Sequence, residues 1–205
     1  MAPGSRSPSF ADASRSLLRR TLFEAARDLA AERPWKSVSM AAVASRAGVS
    51  RQTVYNEFGS RDGLTGALVM HEVDEFLTGV EAAIRQHDDS PADALTAALE
   101  VFLTAAAKDP LVAAVTNEDG RDELLPLVTS GAQPLLRYAT ERLASLLLEL
   151  WPVVTPPDAN FLAESIVRLG LSYVVLPVSS PQATADGVGR LMRPYIEELL
   201  RGISV

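Results

Sequence analysis

Between Ser39 and Leu64 the chain reads SMAAVASRAGVSRQTVYNEFGSRDGL, a run that places three serine helix starts and two glycine stops close together. Ser39 is positioned to cap a helix reaching about Ala47, its hydroxyl accepting from an otherwise unpaired backbone N–H. Met40, Val43, Ala44 and Ala47 recur at i, i+3, i+4 and i+7, which makes one face apolar. Gly48 ends that helix, because glycine takes a left-handed conformation at least cost. Ser50 caps a second, shorter helix over about Arg51 to Glu57, with Val54 and Phe58 on its buried side and Val49 packed inward at the turn. Gly59 and Ser60 break the chain again, and a further helix opens at Arg61 and Asp62. Few folds accommodate such closely spaced caps and stops. The pattern specifies a helix-turn-helix, which sets its second helix in the major groove of DNA.

The outward side of that second helix carries Arg51, Gln52, Thr53, Tyr55 and Asn56. Arg and Gln make bidentate contacts to base edges, and Thr touches a thymine methyl or hydrogen-bonds. Ser, Tyr and Asn side chains and N–H groups at helix starts, as at Ser39 and Ser50, suit phosphates. The string from Val43 to Ser50, then Thr53-Val54-Tyr55, Phe58 and Ser60 to Leu64, resembles the DNA-binding domain of the tetracycline-repressor (TetR) family of bacterial regulators. The resemblance implies that Ser39 and Arg61 hold phosphates, that Tyr55 and Asn56 clamp the backbone beside the recognition helix, and that Arg51, Gln52 and Thr53 face bases. Glu57 departs from the pattern, because the family often carries His or another phosphate-compatible residue there. A carboxylate repels phosphate unless it pairs with Arg61 or Arg51, or accepts from a cytosine amine, and Glu57 is left out of the expected contacts.

Charge is distributed as that reading requires. The whole chain is net −7, yet residues 1–64 hold 10 Lys/Arg against 6 Asp/Glu, while residues 65–205 hold 9 against 20. The basic excess therefore lies with the motif, and the acidic remainder suits a surface turned away from DNA. There is no cysteine among the 205 residues, which excludes disulfides and thiolate metal sites. No run approaches the ~20 apolar residues of a membrane span. The N-terminus lacks a hydrophobic signal core, which points to a cytoplasmic protein.

The rest of the chain reads as helix throughout, with no strand pattern and no internal repeat. Residues 1–10 are rich in Pro, Gly and Ser and are expected to be disordered, with Arg6 on a solvated tail. A first helix over about Asp12 to Glu32 covers the motif, Pro34 ends it, and Trp35 seals the small core. The helix opening at Arg61 runs to about Gln86, with Val69, Val73, Phe76, Val80 and Ile84 on one side, and is the natural carrier of a signal between two domains. Further helices are expected over Pro91 to Lys108, from Asp109-Pro110 to Val115, over Asp122 to Ser130, from Pro134 to Trp151, from an Asp158 cap to about Pro177, and from Pro181 onward, with a loop at Asn117 to Gly120. In the last of these Val188, Leu191, Met192, Tyr195, Ile196 and Leu199 form the apolar stripe, and Pro194 predicts a kink or local break.

The expected fold is all-α: a three-helix DNA-binding domain over residues 1–64 and a larger helical domain over 65–205, about nine helices in all. The resemblance implies that the larger domain dimerises through its last two helices and encloses a ligand pocket. Phe76, Phe102 and Phe161 are the apolar candidates for that pocket, and Asn117, Arg137, Tyr138 and Arg168 the polar ones. An apolar cavity with one or two Arg residues would suit a fatty acid, an acyl thioester or another amphipathic anion. The chain then reads as a homodimeric transcriptional regulator, by the family's habit a repressor, released from a palindromic operator by a small molecule. The alternative is a DNA-binding regulator or architectural factor that no small ligand controls. An enzyme is not expected, and neither is a cofactor. His71 and His87 are the only histidines; His71 lies near Glu72 and Glu75, but a metal site needs a third or fourth ligand at fixed spacing, so an exposed helix face is expected, and no nucleophile elbow, P-loop or dinucleotide fingerprint occurs.

Overall fold

The computed structural model describes residues 9–116 and 132–201. Every regular element among them is helical. In order they are α1 (Phe10–Glu32), a 3-10 turn (Trp35–Ser37), α2 (Met40–Arg46), α3 (Arg51–Phe58), α4 (Arg61–Arg85), α5 (Pro91–Ala106), α6 (Pro110–Thr116), α7 (Gln133–Leu150), α8 (Pro156–Val175) and α9 (Pro181–Arg201). The expected loop at 117–120 and short helix at 122–130 lie outside the described residues, as do Asn117 and Arg6. The chain divides into two compact units, Met1–Leu68 and Val69–Val205.

Local chemistry explains most boundaries. The Ser39 and Ser50 hydroxyls accept from the backbone N–H groups of Ala42 and Thr53, and Gly48 and Gly59 sit at φ +70° and +74°, where a Cβ is strained. Two capped starts differ from the sequence reading, and a third keeps its start but not its cap bond. Helix α1 begins at Phe10 because Ser9 and Asp12 form a reciprocal capping box, so the chain is ordered two residues before the expected disorder ends. Helix α8 is capped by Thr155, not Asp158. Asp158 lies three residues on, its N–H bonding the Thr155 hydroxyl and its carboxylate accepting from it. Ser90 occupies the cap position of α5 but donates to Asp93 rather than accepting from the backbone.

The first unit is built on Leu22, Ala26, Leu29, Trp35, Val38, Val43, Val54 and Leu64, all buried. Trp35 seals this core at 1% exposure, and the Phe23 and Phe58 rings meet at 5.6 Å. Arg61 stacks on Trp35 and donates to the carbonyls of Val38 and Trp35 at 2.9 and 2.7 Å, fastening the start of α4 to the 3-10 turn.

The second unit packs α4, α5, α7, α8 and α9 around one apolar cluster that includes Ile84, Leu95, Ala98, Leu143, Leu147, Leu162, Ile166 and Ile196. Helices α5 and α9 approach closely, because Gly189 faces Thr96, and Arg193 adds an ion pair to Asp93 across the same pair of helices. Arg142 on α7 pairs with both Asp74 and Glu81 on α4, while the Tyr138 hydroxyl donates to Asp74 at 2.7 Å. Helix α9 runs through Pro194 without a break. Pro194 is exposed. Leu191 differs from the expected inward stripe and is 71% exposed.

Candidate nucleic-acid interface and buried cavity

Helices α2 and α3 meet through a short turn, and α3 buries Val54 completely, which turns its polar residues outward. Arg51, Gln52 and Asn56 are exposed, and Thr53 and Tyr55 half-buried. Each of the long side chains is held by a neighbour one turn along. Arg51 donates to the Tyr55 hydroxyl at 3.2 Å with its guanidinium 5.2 Å from the ring centroid. The Gln52 amide donates to the Asn56 side-chain oxygen at 2.7 Å. Thr53 and Ser50 share a hydroxyl bond of 2.8 Å. These are i,i+4 and i,i+3 pairs, the spacing at which side chains on one helix face meet. The result is an exposed polar ridge of fork-shaped donors and amides, the groups that match base edges.

Glu57 is resolved by partners the sequence did not suggest. It pairs with Arg15 at 3.0 Å and Arg19 at 2.7 Å, both on α1, and not with Arg51 or Arg61. Arg19 also lies over the Phe23 and Phe58 rings. Burial pushes the Glu57 carboxyl up, but the hydrogen bonds from Arg15 and Arg19 and their charges more than offset it and hold the group below its ordinary range. The carboxylate therefore ties the recognition helix to α1. Arg61 is likewise engaged by the Trp35 and Val38 carbonyls, a structural use that the resemblance alone did not indicate. Ser39 is exposed at the start of α2.

In the second unit the six ligand candidates among the described residues separate. Phe76 and Phe102 come together edge-on at 5.6 Å and line a cavity of about 70 Å³ between α4, α5, α7 and α8. The remaining lining is apolar, from Val73, Leu77 and Val80 through Leu99, Leu143 and Ile166 to Gly170 and Leu171. Among the described residues no Arg lines it, which differs from the expected amphipathic lining. Tyr138 is engaged by Asp74. Arg137 and Arg168 border an outer groove between α7 and α8, where Arg168 pairs with Glu164. Phe161 is 62% exposed and rests edge-on against Tyr195. It is one residue, about 100° of helix, away from buried Leu162, so the face that packs the core leaves it outside. Leu77, Leu99 and Gly170 escaped notice because apolar residues on a helical stripe carry no mark that separates cavity wall from core. A second cleft of about 340 Å³ is lined by Leu103, Ala106, Tyr173, Val174, Ser179 and Thr184, among others. Among the described residues no group of three or more His, Asp or Glu could hold a metal ion, and no helix is long and apolar enough to cross a membrane.

Comparison with known proteins bears on both units. Residues 22–68 match the family model described as bacterial regulatory proteins, tetR family, and residues 90–194 that of the bacterial tetracyclin repressor C-terminal domain. The chain is 37% identical over 197 residues to the HTH-type transcriptional regulator AlkX of Mycobacterium tuberculosis, spanning 96% of this chain and 93% of that protein. The crystal structure of the TetR family repressor AlkX from a Dietzia strain, implicated in biodegradation of n-alkanes, superposes with a TM-score of 0.78 at 33% identity, covering 97% of this chain and all of that one. A TetR-family regulator from Pectobacterium atrosepticum, at 20% identity and a TM-score of 0.64 over 92% of this chain and 96% of that chain, shares the fold.

Proposed function

We propose, from the premise that this chain belongs to the TetR family of bacterial transcriptional regulators, that it is a homodimeric repressor released from a palindromic operator by a molecule with an apolar hydrocarbon portion. The observation that carries the effector reading is the wholly apolar lining of the cavity around Phe76 and Phe102. A charged group placed there would be desolvated without a partner, so the lining selects hydrocarbon. The Dietzia repressor is implicated in n-alkane biodegradation, and that chemistry fits the lining found here.

Arg51, Gln52 and Thr53 read bases, while Ser39, Ser50, Tyr55 and Asn56 hold phosphates. Arg61 serves the interface by fixing the start of α4. Of the ligand candidates, Phe76 and Phe102 are retained as cavity walls. Two copies pair through α8 and α9, where Phe161 and Leu191 are exposed, as is Leu176 just past the end of α8, and present two recognition helices to half-sites about 34 Å apart. The effector must prefer the conformation that does not fit DNA, since only differential affinity shifts such an equilibrium. The protein acts in the cytoplasm, with its DNA, and without catalysis. The small volume of the cavity favours a second reading, a DNA-binding regulator that no small ligand controls.

Fluorescence anisotropy on duplex DNA from upstream of the protein's own gene, at several salt concentrations and against a scrambled duplex, tests the first claim. Specific, salt-steep binding with two protomers per site, reversed by n-alkanes or alkyl amphiphiles, is expected. Equal binding to both duplexes at every salt concentration, or binding that no alkyl compound reverses, would count against the operator or the effector respectively.

A further inference from the structure

The apolar cavity is too small as it stands. Ligand sites occupy about 300–1,000 Å³, and this one is about 70 Å³. The 340 Å³ cleft shares its walls with the same two helices. On α5, Leu99 and Phe102 face the cavity and Leu103 and Ala106, with Ala107 at the helix's C-cap, the cleft. On α8, Gly170 and Leu171 face the cavity and Tyr173 and Val174 the cleft. The two spaces therefore follow one another by about one helical turn, roughly 5–6 Å.

Phe102 lines the cavity and packs against the apolar cluster that holds Leu103 of the cleft, so it lies on the side of the cavity toward the cleft. Its ring lies edge-on to Phe76 and against Gly170, where an added Cβ would come within 3.0 Å of the ring Cε1 and 3.2 Å of Cδ1. The absence of a side chain at residue 170 thus makes room for the ring. Phe102 is only half-buried, unlike Leu95, Leu99 and Leu143 around it. Aromatic side chains occupy discrete χ1 wells, so a change of well would remove the ring from that side as a unit rather than by small displacement.

We propose that Phe102 is a movable end wall whose displacement joins the cavity to the cleft, and that the joined space takes a linear alkyl chain with any polar head at the cleft; this rests on the cavity being the effector site. The direction of the chain follows from the lining. Among the described residues the inner space is lined by apolar side chains and glycine only. The cleft is lined by Tyr173 and by Ser179 and Thr184, whose hydroxyls pair at 2.9 Å. A narrow space running along two helices accepts a linear chain and not a branched or multi-ring one. Alkanes, alkanols and alkanoates share that chain and differ only at the head.

The test uses the full chain and calorimetric titration with n-alkanols and sodium alkanoates from six to sixteen carbons. Wild type is compared with Phe102→Ala and with Phe102→Leu, the second guarding against a folding defect in the first, and circular dichroism checks both. Removing the wall should raise the affinity ratio of long to short chains at least fivefold in Phe102→Ala, with a smaller rise in Phe102→Leu, in both head-group series. A length profile unchanged in both folded variants overturns the end wall and leaves the effector reading standing. Affinity that follows the head group and ignores chain length overturns the chain-first orientation. No alkyl binding to wild type or to either variant overturns the effector reading itself, and this inference with it.

Discussion

Glu57 illustrates how far a single residue's role depends on partners distant in sequence. Its identity marks a departure from the family pattern, but Arg15 and Arg19 precede it by 42 and 38 residues. No local rule connects them. The anchoring can be tested with Glu57→Gln, which removes the charge and keeps the shape. Hydrogen bonds to charged groups contribute about 1.5–3 kcal/mol, and a loss at the low end of that range is expected at neutral pH in urea unfolding, since Arg15 is largely exposed. Because the folded carboxyl is held below its ordinary value near 4.5, the stabilisation is complete above that value and declines as pH falls through the lower folded value. The wild-type advantage over Glu57→Gln should therefore shrink on acidification. A difference between the two that is constant from pH 7 down to pH 3 would exclude the ion pair as its source. Ser39, Ser50, Gly48 and Gly59 were legible for the opposite reason: a cap or a left-handed stop is determined by the residue and its next three neighbours.

At the level of elements, helical periodicity predicts which segments are helices far better than which residues face which neighbour. The stripe on α4 was read as Val69, Val73, Phe76, Val80 and Ile84, yet Leu77 and Ala83 are also buried, because α4 packs on more than one side. Phe161 and Leu191 fit an apolar pattern but lie outside the protomer's core. Pro194 implies a kink or a local break, and of these the break does not occur, since the helix continues through it; proline removes one N–H bond, and flanking bonds can carry the helix past it. Helix packing, by contrast, leaves a mark that only three dimensions reveal. A Cβ on Gly189 would lie 2.2 Å from Thr96 Oγ1 and 3.1 Å from its Cβ. The Thr96 hydroxyl is itself bonded to the Ala92 carbonyl at 2.7 Å, so rotating it away breaks that bond. Gly189→Ala should destabilise the protein by about 1–3 kcal/mol through overpacking. Thr96→Ala in the same chain should recover part of the loss, because the nearest clashing atom is then gone. Melting temperatures of the two single variants and the double variant test this. Strictly additive losses would mean that α5 and α9 do not meet at this point in solution.

For the whole molecule, the exposed apolar residues and the charge division point to assembly and DNA together. Phe161, Leu176, Val178 and Leu191 are 62–78% exposed and lie on α8, on α9 or in the short connection between them. Single exposed hydrophobes need no explanation, but several on two neighbouring helices suit a self-complementary interface between two copies. The protomer carries its basic excess in residues 1–64, ten Lys/Arg against six Asp/Glu, and a dimer doubles the phosphate contacts that this excess can make. Leu191→Glu places a charge in the proposed interface while leaving the protomer's core untouched, since Leu191 is 71% exposed. Sedimentation equilibrium should show a dimer for wild type at micromolar concentration and a monomer for the variant, with an unchanged melting curve at low concentration. Operator affinity should fall at least tenfold, and the slope of log affinity against log salt should roughly halve, because each protomer then releases counterions from one half-site only. A variant that stays dimeric and keeps the wild-type salt slope would move the interface elsewhere on the second unit. A variant that becomes monomeric yet binds the operator as tightly as wild type would instead mean that one recognition helix suffices, and that pairing serves only to couple two effector sites.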